Sequence, residues 1–370
     1  RLETLLGERV GRQLTVGNFH QIALRMLRRH AGRLNLSTYF NVVDDDGQRD
    51  ILTDLALERN FIDNKKDRSR IRMIHALICS WKEEGIDVQA CHDAGTLPCL
   101  DSLADMRDLE ALMEEAYVLH GAYQEELRQR RWCDFADLIL HMVRIFRENP
   151  DVLDMEAGRF DHILVDEFQD TSPIQAEFLT LMAKRHRNIC VVGDTDQSIY
   201  EWRNARPEIM MDFPSVWSGC TEITIDRNYR STQEILDLAN QAVEPLRLKD
   251  GLDKALTSSM TGPLPHDLFR SYRTGFEEAE DIARQIQDYI DRGTTPSEIA
   301  VLCRSGMIIT GIERAMRMAH IPYAVAGAMK FTDREEIRDA VAWLSLVQNP
   351  MDYIALSRIA SKPARGLGTK

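Results

Sequence analysis

Several features are missing from this chain of 370 residues, and each absence narrows what it can be. No apolar run approaches the ~18 to 20 residues of a membrane span, so no transmembrane helix is expected. The opening stretch, RLETLLGERVGRQ, lacks the apolar core of a secretory signal. Seven scattered cysteines, odd in number and without a C-x-x-C pair, indicate neither a disulfide framework nor a zinc site and predict buried, reduced thiols. The expected setting is therefore cytoplasmic. Positive charge is in deficit: 46 basic against 59 acidic residues leave a net charge of −13, which argues against a surface that coats nucleic acid throughout. Finally, no G-x-x-x-x-G-K-S/T occurs and no glycine precedes a lysine, so the usual phosphate-cradling loop is not among these residues. The terminal GLGTK has the wrong spacing for it.

What is present describes a globular protein. Hydrophobic residues make up 44% and charged residues 28%, and the length suits two or three domains. Three basic runs, RMLRRHAGR (25–33), RQRR (128–131) and KRHR (184–187), could line a local basic channel or form solvated faces. From Phe19 to about Ala157 the pattern is helical nearly throughout. RIRMIHALICSWKEEG places Ile71, Ile74, Leu77, Ile78 and Trp81 on one helix face and stops at Gly85, and FADLILHMVRIFRENP behaves alike up to Pro150.

At Phe160 the character changes. HILVD and NICVVGD are short apolar runs ending in acids, separated by SPIQAEFLTLMAKR, in which Ser172 can cap a helix and Pro173 suits its first turn. TEITI is expected to be a further strand, and Ser231 and Glu234 to form a capping box for the next helix. The alternation resumes with LFRSYR, a helix in FEEAEDIARQIQDYIDRG, the strand EIAVLCRS, a helix around GIERAMRMAH and the strand YAVAG; a helix capped at Thr332 follows. Strands alternating with helices predict parallel sheets covered on both faces.

In open parallel sheets, ligands sit at the carboxyl ends of strands, where Asp166, Glu167 and Asp194 fall. A carboxylate there can hold Mg²⁺, and a neighbour can orient a water for in-line attack on a γ-phosphate. On the two acids alone, a structural turn-capping role is the better reading. Three longer stretches occur in order: DEFQDTSPIQ, VVGDTDQSIYEWRNARP and IDRNYRST. Together with LTVGNFHQIALRMLRRHA, IAVLCRSG and IPYAVAGAMKFTDREEIRDAVAWLSLVQNP, they make the chain resemble the UvrD/Rep type of superfamily 1 DNA helicases over essentially its whole length.

The resemblance implies two RecA-like parallel-sheet domains, both incomplete, within an α/β architecture. Residues 1–57 and 158–228 would belong to the first, with a helical insertion at 58–157. Residues 229–329 would begin the second, and 330–370 a second helical insertion. It also implies ATP and Mg²⁺ as cofactors, with single-stranded DNA and duplex junctions as partners and 3′-to-5′ polarity. Asp166 resembles the Mg²⁺-holding acid, Glu167 the base that activates water, and Gln169 and Asp194 members of the same nucleotide cluster. Gln197 resembles the glutamine that senses the γ-phosphate, Tyr229 the ring that stacks on adenine, and Arg230 the arginine that reaches the γ-phosphate. For DNA, the resemblance points to Phe19 and His20, although Asn18 stands where the family usually has threonine. It points most sharply to Trp202 beside Arg203, and also to Arg304, although Gly306 replaces a usual polar residue.

The family's phosphate loop lies upstream of the VGNFH region, so the expectation is an internal portion of a longer helicase that hydrolyses ATP poorly alone. Two other readings are a non-hydrolysing DNA-binding or partner-docking module with a helicase fold, and the helicase part of a helicase-nuclease. Intact Asp166, Glu167, Gln197 and Arg230 weigh against the former, because a pure binding module has no physical need for all four.

Overall fold

The fold is seen in a computed structural model that describes residues 7–11, 13–63, 68–201, 204–246, 256–262, 269–326, 335–348, 350, 352–360 and 362–363. Among the described residues, strands occur as three parallel pairs. These are β1 (Asn41–Val43) with β2 (Trp132–Asp134), β3 (Ile163–Val165) with β4 (Ile189–Val191), and β5 (Arg227–Asn228) with β6 (Thr257–Ser258). The helices of six or more residues are α1 (Phe19–His30), α2 (Asp45–Glu58), α3 (Arg68–Glu84), α4 (Val88–Asp93), α5 (Leu109–Arg130), α6 (Phe135–Glu148), α7 (Pro150–Ala157), α8 (Pro173–Ala183), α9 (Gln233–Val243), α10 (Gly275–Asp291), α11 (Gly306–Met318), α12 (Glu335–Gln348) and α13 (Tyr353–Ala360). The chain divides into two compact units, Arg1–Met260 and Thr261–Lys370.

Local chemistry explains several boundaries. Asn18 caps α1 by accepting a hydrogen bond from the Gln21 N–H while the Gln21 side chain returns to the Asn18 N–H, a reciprocal capping box. In α3 the five apolar positions expected on one face, Ile71, Ile74, Leu77, Ile78 and Trp81, are all buried. The helix ends at Gly85, whose φ of +68° suits a residue without a Cβ. Asp134 and Asp137 cap α6 reciprocally. Pro173 opens α8 as expected, and Ser172 is its N-cap, but the Ser172 hydroxyl donates to Glu83 instead of capping the helix.

The main core of the first unit lies where α1, α6, α7 and α8 meet. Ala23, Leu27, Ile139, Met142 and Phe146 are buried there, with Phe146 stacked on Phe178 at 5.8 Å between ring centroids. Each such fully buried large side chain stabilises the fold by about 1.5–3 kcal/mol. In the second unit, Ala279, Ala283 and Ile286 of α10 pack on Ala315 and Met316 of α11. Ala342 of α12 packs on Ala355 and Ile359 of α13.

Several expectations require correction. The stretch 19–157 is not purely helical: β1 and β2 pair inside it, and at three residues each they are too short to show a period of two. TEITI is exposed and forms no strand; nor do the described residues of LFRSYR, EIAVLCRS and YAVAG, because none has a ladder partner among the described residues. Ser231 and Glu234 make no capping box, since α9 starts one residue later with Thr232 as N-cap; the Ser231 N–H bonds to Asn228 Oδ1 instead. The cysteines are free, but Cys99, Cys190 and Cys220 are exposed and Cys133 alone is fully buried. Cys190 and Leu164 are exposed at paired positions of β3 and β4, so this sheet is not covered on both faces by the described residues. In the basic runs, Arg29 pairs with Glu156, Arg33 with Asp151, Arg128 with Glu125 and Arg130 with Glu126. The proposed cap Thr332 lies outside the described residues.

Candidate nucleotide site and strand-contacting segments

Because β3 and β4 run parallel, with Val165 opposite Val191, the segments leaving them emerge at one sheet edge. The Val192 N–H donates to Val165 O at 2.8 Å and the Phe168 N–H to Val192 O at 2.9 Å, extending the pairing into the acid loop. Asp166 and Glu167 are both exposed there. The Glu167 N–H donates to Asp166 Oδ1 at 3.1 Å, and Glu167 adopts φ +52°, an uncommon conformation for a residue with a side chain. Such departures cluster at functional sites.

Gln169 ties the two strand ends together. Its side chain is buried, its Nε2 donates to Glu167 Oε2 at 2.8 Å, and its Oε1 accepts the Asp194 N–H at 2.9 Å. Asp194 in turn accepts the Asp196 N–H on Oδ1 at 3.0 Å and Gln197 Nε2 on Oδ2 at 2.7 Å. One hydrogen-bonded chain thus links Glu167, Gln169, Asp194 and Gln197, and Asp166 joins it through the Glu167 backbone. Gly193 makes room for it: a Cβ at that position would lie 2.5 Å from Gln169 Oε1.

Asp170 was not singled out in the sequence, although it closes the DEFQD stretch that would have flagged it. Its carboxyl pKa is raised by burial and by the charge of Glu167, and its Oδ1 is buried without a hydrogen-bond partner among the described residues. Among the described residues no group of three or more His, Cys, Asp or Glu side chains forms a complete metal cage. Exposed carboxylate oxygens at a strand end do fit Mg²⁺, which is commonly held by one or two carboxylates together with phosphate oxygens and water.

Tyr229 and Arg230 follow β5 and so belong to a different strand pair from the acids. Both are exposed; the Arg227 guanidinium lies 5.1 Å from the Tyr229 ring centroid, and the Arg230 N–H donates to Asn228 Oδ1 at 2.8 Å. Of the residues expected to contact a strand, Phe19 and His20 open α1 and are half-buried. The His20 ring meets Phe135 edge-on at 6.2 Å, and burial lowers the His20 pKa against the opposing charge of Asp134. His20 is thus biased towards the neutral ring. Trp202 and Arg203 lie outside the described residues; Arg304 is exposed at the turn leading into α11, in the second unit.

Inside the helical region lies a charged cluster that no sequence pattern signals. Lys82 of α3 reaches Asp134 Oδ2 at 2.5 Å and Asp137 Oδ1 at 2.8 Å, with Tyr123 donating to Asp134 at 3.0 Å. Its partners are 52 and 55 positions away, so no local pattern could have revealed it.

Comparison with known proteins identifies the domains that carry these residues. The family model of the UvrD/REP helicase N-terminal domain matches residues 1–216, and that of the UvrD-like helicase C-terminal domain matches residues 223–370. The chain is 33% identical over 369 residues to the ATP-dependent DNA helicase PcrA of Leuconostoc citreum, an alignment covering 100% of this chain and 47% of that protein. It is 31% identical over 370 residues to PcrA of Staphylococcus epidermidis and 31% identical over 369 residues to PcrA of Staphylococcus aureus, covering 100% of this chain and 48% of each. It therefore spans about half the length of the curated relatives it matches. The hydrogen-bonded acid loop and the matches to both helicase domains lead to one assignment: this chain belongs to the UvrD/REP helicase family.

Proposed function

We propose that the chain is the nucleotide- and strand-handling part of an ATP-dependent helicase that moves 3′ to 5′ on single-stranded DNA and opens duplex junctions. The observation that carries this reading is the Gln169 bridge, which couples the acid that would activate water, Glu167, to the loop bearing Asp194 and Gln197. A structural turn has no need of an exposed acid pair backed by a buried glutamine, whereas phosphoryl transfer depends on groups fixed in advance. The proteins similar to this chain are named ATP-dependent DNA helicases, which agrees with it.

In this reading Asp166 holds Mg²⁺, which when bound offsets charge on the triphosphate. Glu167 accepts the proton of the attacking water, Gln197 detects the γ-phosphate, Tyr229 stacks on the base and Arg230 stabilises the charge of the transferring group. Phe19, His20, Trp202, Arg203 and Arg304 contact the strand. The two α/β parts are RecA-like. The first is formed by residues 1–57 and 158–228 around a helical insertion at 58–157, and the second begins at 229–329 with a further helical insertion from 330. Both work in a bacterial cytoplasm on the nucleoid. The 370 residues alone hydrolyse ATP slowly, because a phosphate cradle with backbone N–H groups and a lysine is not among them.

The test compares phosphate release by the full-length protein with and without single-stranded DNA, for wild type and Glu167→Gln. The expected result is DNA-stimulated turnover that Glu167→Gln removes while ATP binding persists. Unchanged turnover in the variant would refute the assignment of the base. Rapid Glu167-dependent turnover by the 370-residue chain alone would refute the proposal that it needs a phosphate loop from elsewhere.

A further inference from the structure

The last turn of α3 makes an unusual set of contacts. Ser80 Oγ donates to Asn204 Oδ1 at 3.0 Å, Arg206 Nε donates to Glu84 Oε1 at 3.1 Å, and Glu83 Oε2 accepts the Ser172 hydroxyl at 2.6 Å. The Arg206 N–H also reaches back to Thr171 O at 3.1 Å. Gly85, which ends the helix, approaches α8 so closely that a Cβ there would lie 2.7 Å from Ile174 Cδ1. One helix end therefore grips both the segment after the acids, Thr171–Ser172, and the segment after Trp202 and Arg203. The second grip falls on a constrained backbone: Asn204 adopts φ +59°, a region that asparagine tolerates better than most residues, and its N–H donates to Glu201 O at 2.8 Å.

We propose that this turn is a positioning element for the strand-contacting loop, in which Ser80 and Glu84 fix the backbone immediately after Trp202 and Arg203 and hold it in register with the acid loop. The proposal rests on the reading that Trp202 contacts single-stranded DNA. The Arg206 side chain is 52% exposed, and an ion pair so open contributes little to overall stability. Its effect falls on where the loop is held. Ser80, by contrast, is buried, so its hydroxyl is a fixed donor aimed at a single acceptor.

The sign of one substitution separates positioning from simple electrostatics. Removing a negative charge beside a DNA-binding loop raises affinity if charge alone matters, because phosphate attraction dominates non-specific binding. If Glu84 positions the loop, neutralising it lowers affinity. The measurement is fluorescence anisotropy of a labelled oligothymidylate with the full-length protein, over a salt series. The variants are Glu84→Gln, Ser80→Ala, Trp202→Ala and the exchange Glu84→Arg with Arg206→Glu. We expect Glu84→Gln and Ser80→Ala each to weaken binding about 5- to 10-fold, part of the loss that removing a stacking tryptophan causes. The salt slope should stay unchanged in both, the thermal midpoint should stay unchanged in Glu84→Gln, whose ion pair is open, and the exchange should restore most of the affinity. Binding that is unchanged or tighter in Glu84→Gln, while Trp202→Ala weakens it, overturns the positioning role alone. Binding indifferent to Trp202→Ala overturns the strand-contact reading, and the positioning role with it.

Discussion

Replacing the buried Lys82 with methionine should destabilise the first unit more than single changes on the exposed helical faces do. The ammonium lies 2.5 Å from Asp134 and 2.8 Å from Asp137, and the three side chains are only 1–2% exposed. Burial alone would drive the Asp137 carboxyl pKa up, but the Lys82 and His141 charges and the hydrogen bonds from Lys82 and the Asp134 backbone hold it below the ordinary aspartate value. Burial likewise opposes the charge on Lys82, and the two aspartates outweigh it and raise its pKa. Methionine keeps the volume and leaves two carboxylates facing each other with no cation. Breaking a buried pair in this way costs about 3–5 kcal/mol. With a urea dependence of about 1–3 kcal/mol per molar, the unfolding midpoint should fall by at least about 1 M. Trp81, fully buried beside Lys82, supplies the fluorescence readout.

The pH dependence of that variant has a definite sign. In the wild type, the depressed Asp137 value means a stabilising contribution that is present above the ordinary aspartate pKa of about 3.9 and is lost as pH falls below it. In Lys82→Met the Asp137 carboxylate sits in an apolar site without a cation, so its pKa rises and the deficit is largest at neutral pH. The gap to wild type should shrink on acidification. A Lys82→Met unfolding free energy within about 1 kcal/mol of wild type at neutral pH would refute the reasoning.

Three further outcomes follow from the geometry. Gly193→Ala should depress ATP turnover as Gln169→Ala does, because the added Cβ would lie 2.5 Å from Gln169 Oε1 and 3.1 Å from the Phe168 backbone nitrogen; steady-state kinetics of both variants in the full-length protein would check it. Arg230→Ala should cut turnover by about 10³- to 10⁵-fold with far less effect on ATP affinity, and equal losses of rate and affinity would contradict its assigned role. Glu156, buried between Arg29 and His30, keeps a lowered pKa because its hydrogen bonds to both outweigh the upward push of burial. Glu156→Gln should therefore cost about 1.5–3 kcal/mol at neutral pH, with the difference vanishing as pH falls through the lowered carboxylate value in urea titrations.

The parts of this molecule that were legible in its sequence are those set by near neighbours. Ile71, Ile74, Leu77, Ile78 and Trp81 announce the buried face of α3, Gly85 its end, and Pro173 the start of α8, because period and φ preference act within one or two turns. The acids and Gln169, Asp194 and Gln197 were legible as ordered stretches, and hydrogen bonds join all of them at one sheet edge. What escaped depends on distant partners. β1 and β2 are strands because Asn41 finds Trp132 across 91 positions, not because three residues show a pattern. TEITI has strand composition yet no ladder partner among the described residues, and the Ser231 capping box fails because Asn228 takes the Ser231 N–H first. The Lys82 cluster and the grip of Ser80 and Glu84 on Asn204 and Arg206 likewise join residues more than 50 positions apart.

The most direct test of the account is strand separation by the full-length protein on duplexes carrying a single-stranded tail at either the 3′ or the 5′ end, for wild type and Glu167→Gln. The account predicts ATP-dependent separation of the 3′-tailed duplex, abolished by Glu167→Gln with DNA binding retained. Binding to both duplexes with no ATP-dependent separation of either would contradict it and leave a module that holds DNA without moving along it.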